Sequence, residues 1–148
     1  MVESDIFDAI KNIDEVWKID DLYLVIAGES NSGGPVESII FEINKKFWDI
    51  TVKHDFDEIE LKVYTCLPDK AIQQRCSNNL SGLKGLEIGT MFAIVNERGY
   101  TDGIKLMLYD HSLKESKTNP FFAVLTIIAL ASGLQYELRK TGVDTYLV

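Results

Sequence analysis

Ile39-Ile40-Phe41-Glu42-Ile43, Asn44-Lys45-Lys46, Phe47-Trp48-Asp49-Ile50-Thr51-Val52-Lys53-His54, Asp55-Phe56-Asp57 and Glu58-Ile59-Glu60-Leu61-Lys62-Val63-Tyr64-Thr65 are consecutive in the chain, and their reading decides the fold. Three runs alternate apolar and polar residues at period two, and two short polar joints separate them. Successive side chains of a strand point to opposite faces, so this pattern predicts an antiparallel meander with one buried face. Ile39, Phe41, Ile43, Trp48, Ile50, Val52, Ile59, Leu61 and Val63 share that face. Burying each fully contributes about 1.5–3 kcal/mol before chain entropy is subtracted. The opposite face carries Glu42, Asp49, Thr51, Lys53, Glu58, Glu60 and Lys62, a mixture of charges expected to lie in water.

Upstream, residues 4–17 read as an amphipathic helix. Ser4 suits the N-cap, and Asp5 and Asp8 fall in the first turn. Ile6, Ile10, Ile13 and Trp17 recur at helical spacing. Leu22 to Ala27 is a short aliphatic strand that runs into G-E-S-N-S-G-G-P at 28–35. Those glycines match neither a phosphate-binding loop nor a dinucleotide fingerprint, so a flexible hairpin loop is favoured over a ligand loop.

Downstream, Pro68-Asp69 followed by K-A-I-Q-Q-R-C-S-N-N-L predicts a short helix with proline near its start. Residues 80–87 are punctuated by glycine and read as irregular, with room for one helical turn. Thr90 to Asn96 and Tyr100 to Tyr109 form a second hairpin about the turn Glu97-Arg98-Gly99, and residues 110–119 a polar loop. The run Pro120 to Ala131 is ambiguous. Asn119-Pro120 fits a helix start and Gly133 a helix end, whereas Val124, Thr126, Ile127 and Ile128 are β-branched. A buried central strand is favoured, with a bulge near Ser132-Gly133. Leu134 to Lys140 alternates like a strand, and the tail 141–148 can add another. The expected fold is therefore α+β: a single domain over 1–148, mainly antiparallel sheet, with an N-terminal helix and one short middle helix.

Composition narrows the function classes. The chain has 148 residues, 46% hydrophobic and 26% charged, with formal net charge −8. An acidic chain repels phosphate backbones, which disfavours direct nucleic-acid binding and favours encounter with a basic partner. Plain solubility explains the same charge. Cys66 and Cys76 form no CxxC pair and read as reduced thiols. The acidic start lacks the features of a signal peptide, and the apolar run Phe121 to Ala131 is too short to span a bilayer. These features predict a soluble cytoplasmic protein without a membrane partner.

Catalytic signals are lacking. His54 adjoins Asp55 and His111 adjoins Asp110, which is the ordinary setting of a solvated loop histidine. Asp55-Phe56-Asp57-Glu58 does not continue as a calcium loop, and neither a nucleophile elbow nor a zinc-protease motif occurs. No catalytic residue, metal or cofactor is expected. What remains is a surface. Asp55, Asp57, Glu58 and Glu60 crowd one end of the meander, and Glu97, Tyr100 and Asp102 form a second candidate cluster for a basic partner.

The segment Ile94-Val95-Asn96-Glu97-Arg98-Gly99-Tyr100-Thr101-Asp102-Gly103, with the alternating I-K-L-M-L after it and the later A-L-A-S-G-L-Q-Y, resembles a hairpin found in a family of small uncharacterised bacterial proteins. In size, acidity and lack of catalytic motifs the chain also resembles the immunity proteins encoded beside bacterial toxins, including those of contact-dependent growth inhibition. That resemblance implies a non-catalytic protein that binds a cognate basic toxin domain, often a nuclease, and occludes its active site. A small-ligand or enzymatic domain and a homo-oligomeric structural protein are the competing readings. The local alternative for the G-Y-x-D-G segment is structural: Gly99 makes the turn, Tyr100 packs beside it and Asp102 bonds the backbone.

Overall fold

A computed structural model of the chain describes residues 2–3, 17–26, 36–53, 58–72, 80–110, 121–130 and 133–140. In chain order these form β1 (Val2–Glu3), β2 (Ile19–Ile26), β3 (Val36–Ile43), β4 (Lys46–Lys53), β5 (Glu58–Tyr64), the single turn α1 (Asp69–Ile72), a 3-10 turn at Ser81–Leu83, β6 (Glu87–Val95), β7 (Thr101–Tyr109), β8 (Phe121–Leu130) and β9 (Gly133–Lys140). Every strand pair is antiparallel.

The strands make two meanders, β2-β3-β4-β5 and β6-β7-β8-β9, joined where Val36 of β3 pairs with Leu134 of β9. The sheet curls into a half-barrel, and β5 lies against β7 and β8. A second seam ties the far edges together. Ile19 N–H donates to Leu86 O at 2.8 Å, Gly85 N–H to Ile19 O at 2.8 Å and Ile88 N–H to Trp17 O at 2.8 Å, around the bridge Lys18↔Glu87.

The fold class therefore differs from the α+β expectation. The described residues are nearly all antiparallel β, and the middle helix amounts there to the single turn Asp69–Ile72. The spacing of Ile6, Ile10, Ile13 and Trp17 suggested a helix ending at Trp17, but Trp17 instead supplies a carbonyl to the seam with β6. Its indole packs edge-on to Trp48, with ring centroids 4.9 Å apart at 70°. The rest of the expected N-terminal helix, the continuation of the middle helix, the loop 28–35, the bulge at Ser132 and the tail strand lie outside the described residues.

The meander itself follows its alternation. Ile39, Phe41, Ile43, Trp48, Ile50, Ile59 and Leu61 are buried in the main core, with Val52 and Val63 packed against it. The β3–β4 joint narrows to Asn44-Lys45, both at positive φ (53° and 64°), as a two-residue hairpin requires. The ambiguous run is a strand between β7 and β9. Its inner side chains Ala123, Leu125, Ile127 and Ala129 are buried against Ile104, Leu106 and Leu108 of β7 and Leu134 of β9.

Candidate functional site

Register fixes which side chains share the outer face of each meander, the face turned away from the main core. On the first meander two rows run across the strands: Tyr23–Ile40–Asp49–Lys62 and Val25–Ser38–Thr51–Glu60. This face is covered. Ile40 and Val25 are buried in a second small core with Tyr23, Phe47 and Leu67, and α1 lies against β2. From α1, Lys70 Nζ reaches Asp49 Oδ2 at 2.7 Å and donates to Ser38 Oγ at 2.9 Å.

Asp49 is the main departure from the expected polar face. Its side chain is 1% exposed, although alternation placed it with the solvated carboxylates. Desolvation raises its pKa, and the hydrogen bond and charge of Lys70, with the Ser38 hydroxyl and the more distant Lys62, only partly offset that. Its Oδ1 has no hydrogen-bond partner among the described residues. A serine beside a lysine can form a nucleophile and its base, but a nucleophile must be open to substrate, and Ser38 is fully buried. The trio acts as a fastener that holds α1 on the sheet.

Asp21 gives a contrasting carboxylate at the rim. Burial alone would raise its pKa, yet the hydrogen bond from Lys84, the Leu22 N–H, the Lys84 charge and the Tyr23 hydroxyl together lower it. Lys84 Nζ stands 3.0 Å away and Leu22 N 2.8 Å away.

No described element covers the outer face of the second meander. Its rows are Phe92–Lys105–Thr126–Glu137, Ile94–Gly103–Ile128–Gln135 and Thr90–Met107–Val124–Arg139. Phe92 is 50% exposed, Ile128 39% and Leu130 42%. Ile94 leans across Gly103, where an added Cβ would stand 3.0 Å from its Cδ1 and 3.0 Å from the Ile127 carbonyl. Gln135, Glu137 and Arg139 on β9 form a polar rim, within which Arg139 Nε pairs with Glu137 Oε1 at 3.0 Å. An apolar patch with a polar rim is the usual form of a protein-binding face. Alternation alone gives no sign of it, because outward apolar residues read the same whether covered or bare.

The two clusters predicted from sequence lie on different meanders. Glu58 and Glu60 are half-buried on β5, and Glu60 Oε1 stands 3.4 Å from Lys62 Nζ, which blunts its charge. Asp55 and Asp57 lie outside the described residues, as do His54, His111 and Cys76. Cys66 is a free, exposed thiol.

Glu97 and Tyr100 are exposed at the β6–β7 tip, and Asp102 is half-exposed beside them. The tip is organised by Asn96, which is absent from the clusters predicted from sequence. Its Oδ1 accepts from Arg98 N–H at 2.9 Å and Tyr100 N–H at 3.1 Å. Its own N–H donates to Tyr100 O at 2.9 Å, and its carbonyl accepts from Gly99 N–H at 3.0 Å, with Gly99 at φ 86°. The tip backbone is thus bonded by Asn96 rather than by Asp102. An Asn three residues before a turn glycine is the signal in the sequence.

Among the described residues no three His, Cys, Asp or Glu side chains gather as a metal ion would need, and no helix is long and apolar enough to cross a membrane. Over residues 1–142 the chain matches a family of unknown function, DUF6334, and it belongs to that family. No curated protein and no solved structure matches it.

Proposed function

We propose that this member of the family is a non-catalytic binding protein that neutralises a cognate basic toxin domain, in the manner of a bacterial immunity protein. The observation that carries the reading is the β6–β7 tip. Asn96 bonds its backbone, Glu97 and Tyr100 are exposed on it with Asp102 half-exposed, and Val95 beside them is 50% exposed. A preorganised tip spends little entropy on binding, and an exposed tyrosine flanked by carboxylates suits a cationic groove. The net charge of −8 favours fast encounter with such a partner. Glu58 and Glu60 are half-buried on the other meander, with Glu60 set against Lys62, and add only secondary carboxylates.

The test is capture of the toxin domain encoded beside this gene by the full-length protein. Binding is expected to weaken about thirtyfold for Tyr100→Ala, as for an aromatic hot spot of about 2 kcal/mol. Glu97→Lys is expected to slow association and reduce its salt dependence. A neighbouring product that is not a toxin, or is not bound, refutes the reading.

A further inference from the structure

From the open outer face of the second meander we infer that two copies of this chain associate face to face through β7, β8 and β9, about a twofold axis that runs along β8. The inference goes beyond the proposed function and does not depend on it.

Three observations carry it. The first is that no described element covers this face, whereas the chain covers its other apolar outer face with its own residues. Ile40 and Val25 on the first meander are buried beneath Leu67 and α1, whereas Ile128 and Leu130 on the second remain 39% and 42% exposed. The second is the charge of the row through the middle of the face. It reads Lys105 on β7, Thr126 on β8 and Glu137 on β9. The pattern is positive, neutral and negative across β8. Such a row is antisymmetric about its central strand, and a twofold along that strand sets it against itself with the signs opposed. Lys105 of one copy then faces Glu137 of the other, and the same contact forms again on the opposite side of the axis.

The third observation concerns the neighbouring rows, which fit the same axis. Val124, Ile128 and Leu130 of β8 fall on the seam and pack against their own counterparts. Met107 comes opposite the aliphatic stem of Arg139, and Gly103 opposite Gln135. β7 and β9 are two strand spacings apart, about 10 Å, and aligned sheets pack about 10 Å apart, so extended Lys and Glu side chains can meet across the seam. The present Glu137–Arg139 pair is no obstacle. Both side chains are well exposed, and such a pair is exchanged at little cost. The face carries charges of both signs, Lys105 and Arg139 with Glu137, which separates it from the acidic β6–β7 tip. Elsewhere the net charge of −8 opposes self-association.

Sedimentation equilibrium of the full-length protein over a wide concentration range tests the inference. The expected result is a reversible species of twice the 16.7 kDa chain mass. Lys105→Glu and Glu137→Lys each place like charges together twice in the dimer, and each is expected to weaken it by about tenfold or more. The double variant K105E/E137K restores the opposed signs and is expected to recover the wild-type dissociation constant to within about threefold. Ile128→Asp is expected to give monomer at every concentration. All three substituted positions are exposed, and circular dichroism of the monomers shows whether each of the four variants is folded.

Wild-type protein that stays monomeric overturns the inference. So does a dimer that Ile128→Asp leaves intact, or one that the double charge exchange fails to restore. Toxin capture by the Ile128→Asp variant is scored separately, because the β6–β7 tip is unchanged in it. Loss of the dimer with retained capture refutes neither proposal, and failure of capture by wild type and variant alike refutes the proposed function alone.

Discussion

Ile40 and Ile128 occupy equivalent places on two similar surfaces: each sits on the outer face of a meander, on a strand flanked on both sides. Ile40 is fully buried, whereas Ile128 is 39% exposed. The difference arises further along the chain. After β5 the chain turns back over the first meander, where Leu67 packs against Ile40 and Lys70 reaches Asp49. No described element returns over the second meander. The comparison teaches that alternation makes a surface apolar, while chain connectivity decides whether the protein or a partner covers it.

The largest effect is expected at the fastener of the covered face. Lys70→Met leaves the Asp49 carboxylate buried without its cation, a loss of about 3–5 kcal/mol at neutral pH. Asp49 escapes part of this by taking a proton, so the cost measured by urea denaturation should be smaller at acid pH. Ile40→Ala empties a closed site and is expected to cost about 2–5 kcal/mol. Ile128→Ala should cost the dilute monomer roughly 0.5 kcal/mol or less, because the residue already meets water. Equal costs at the two isoleucines would break the comparison.

The two carboxylates of the first meander sharpen it further through pH. Asp49 has a raised pKa in the fold, so its contribution to stability is present below the unfolded value and is lost as pH rises through the folded one. Asp21 has a lowered pKa, so its contribution is present above the unfolded value and is lost as pH falls through the folded one. Relative to wild type, Asp49→Asn should therefore become more favourable as pH rises through the acid range, and Asp21→Asn less favourable. Both effects are small, and denaturation midpoints measured across that range give the two signs. Parallel trends would show that the two carboxylates do not differ as described.

Much of the framework was legible in the residues themselves. Trp48, Ile50, Ile59 and Leu61 followed from strict alternation, and the β-branched Val124, Thr126, Ile127 and Ile128 correctly argued for a strand. Trp17 misled because residues four and three apart suit a helix face, whereas its carbonyl accepts from the N–H of Ile88, about seventy residues away. Asp49 misled for a related reason. Period two places a residue on a face, but the cover over that face comes from Leu67 and Lys70, after the meander has ended. At the candidate site, Glu97 and Tyr100 are exposed as read, but Asn96, which sets their geometry, looks in the sequence like one more polar turn residue. The antisymmetric row Lys105–Thr126–Glu137 joins residues from three strands and could be read only once register was known.

The central claim is that the bare face of the second meander is completed by a second copy, and the stability cost of Ile128→Ala as a function of protein concentration tests it most directly. The account predicts a cost close to zero in dilute solution that grows as concentration rises, because burial at Ile128 then comes from the partner. A cost that is the same at every concentration would contradict it.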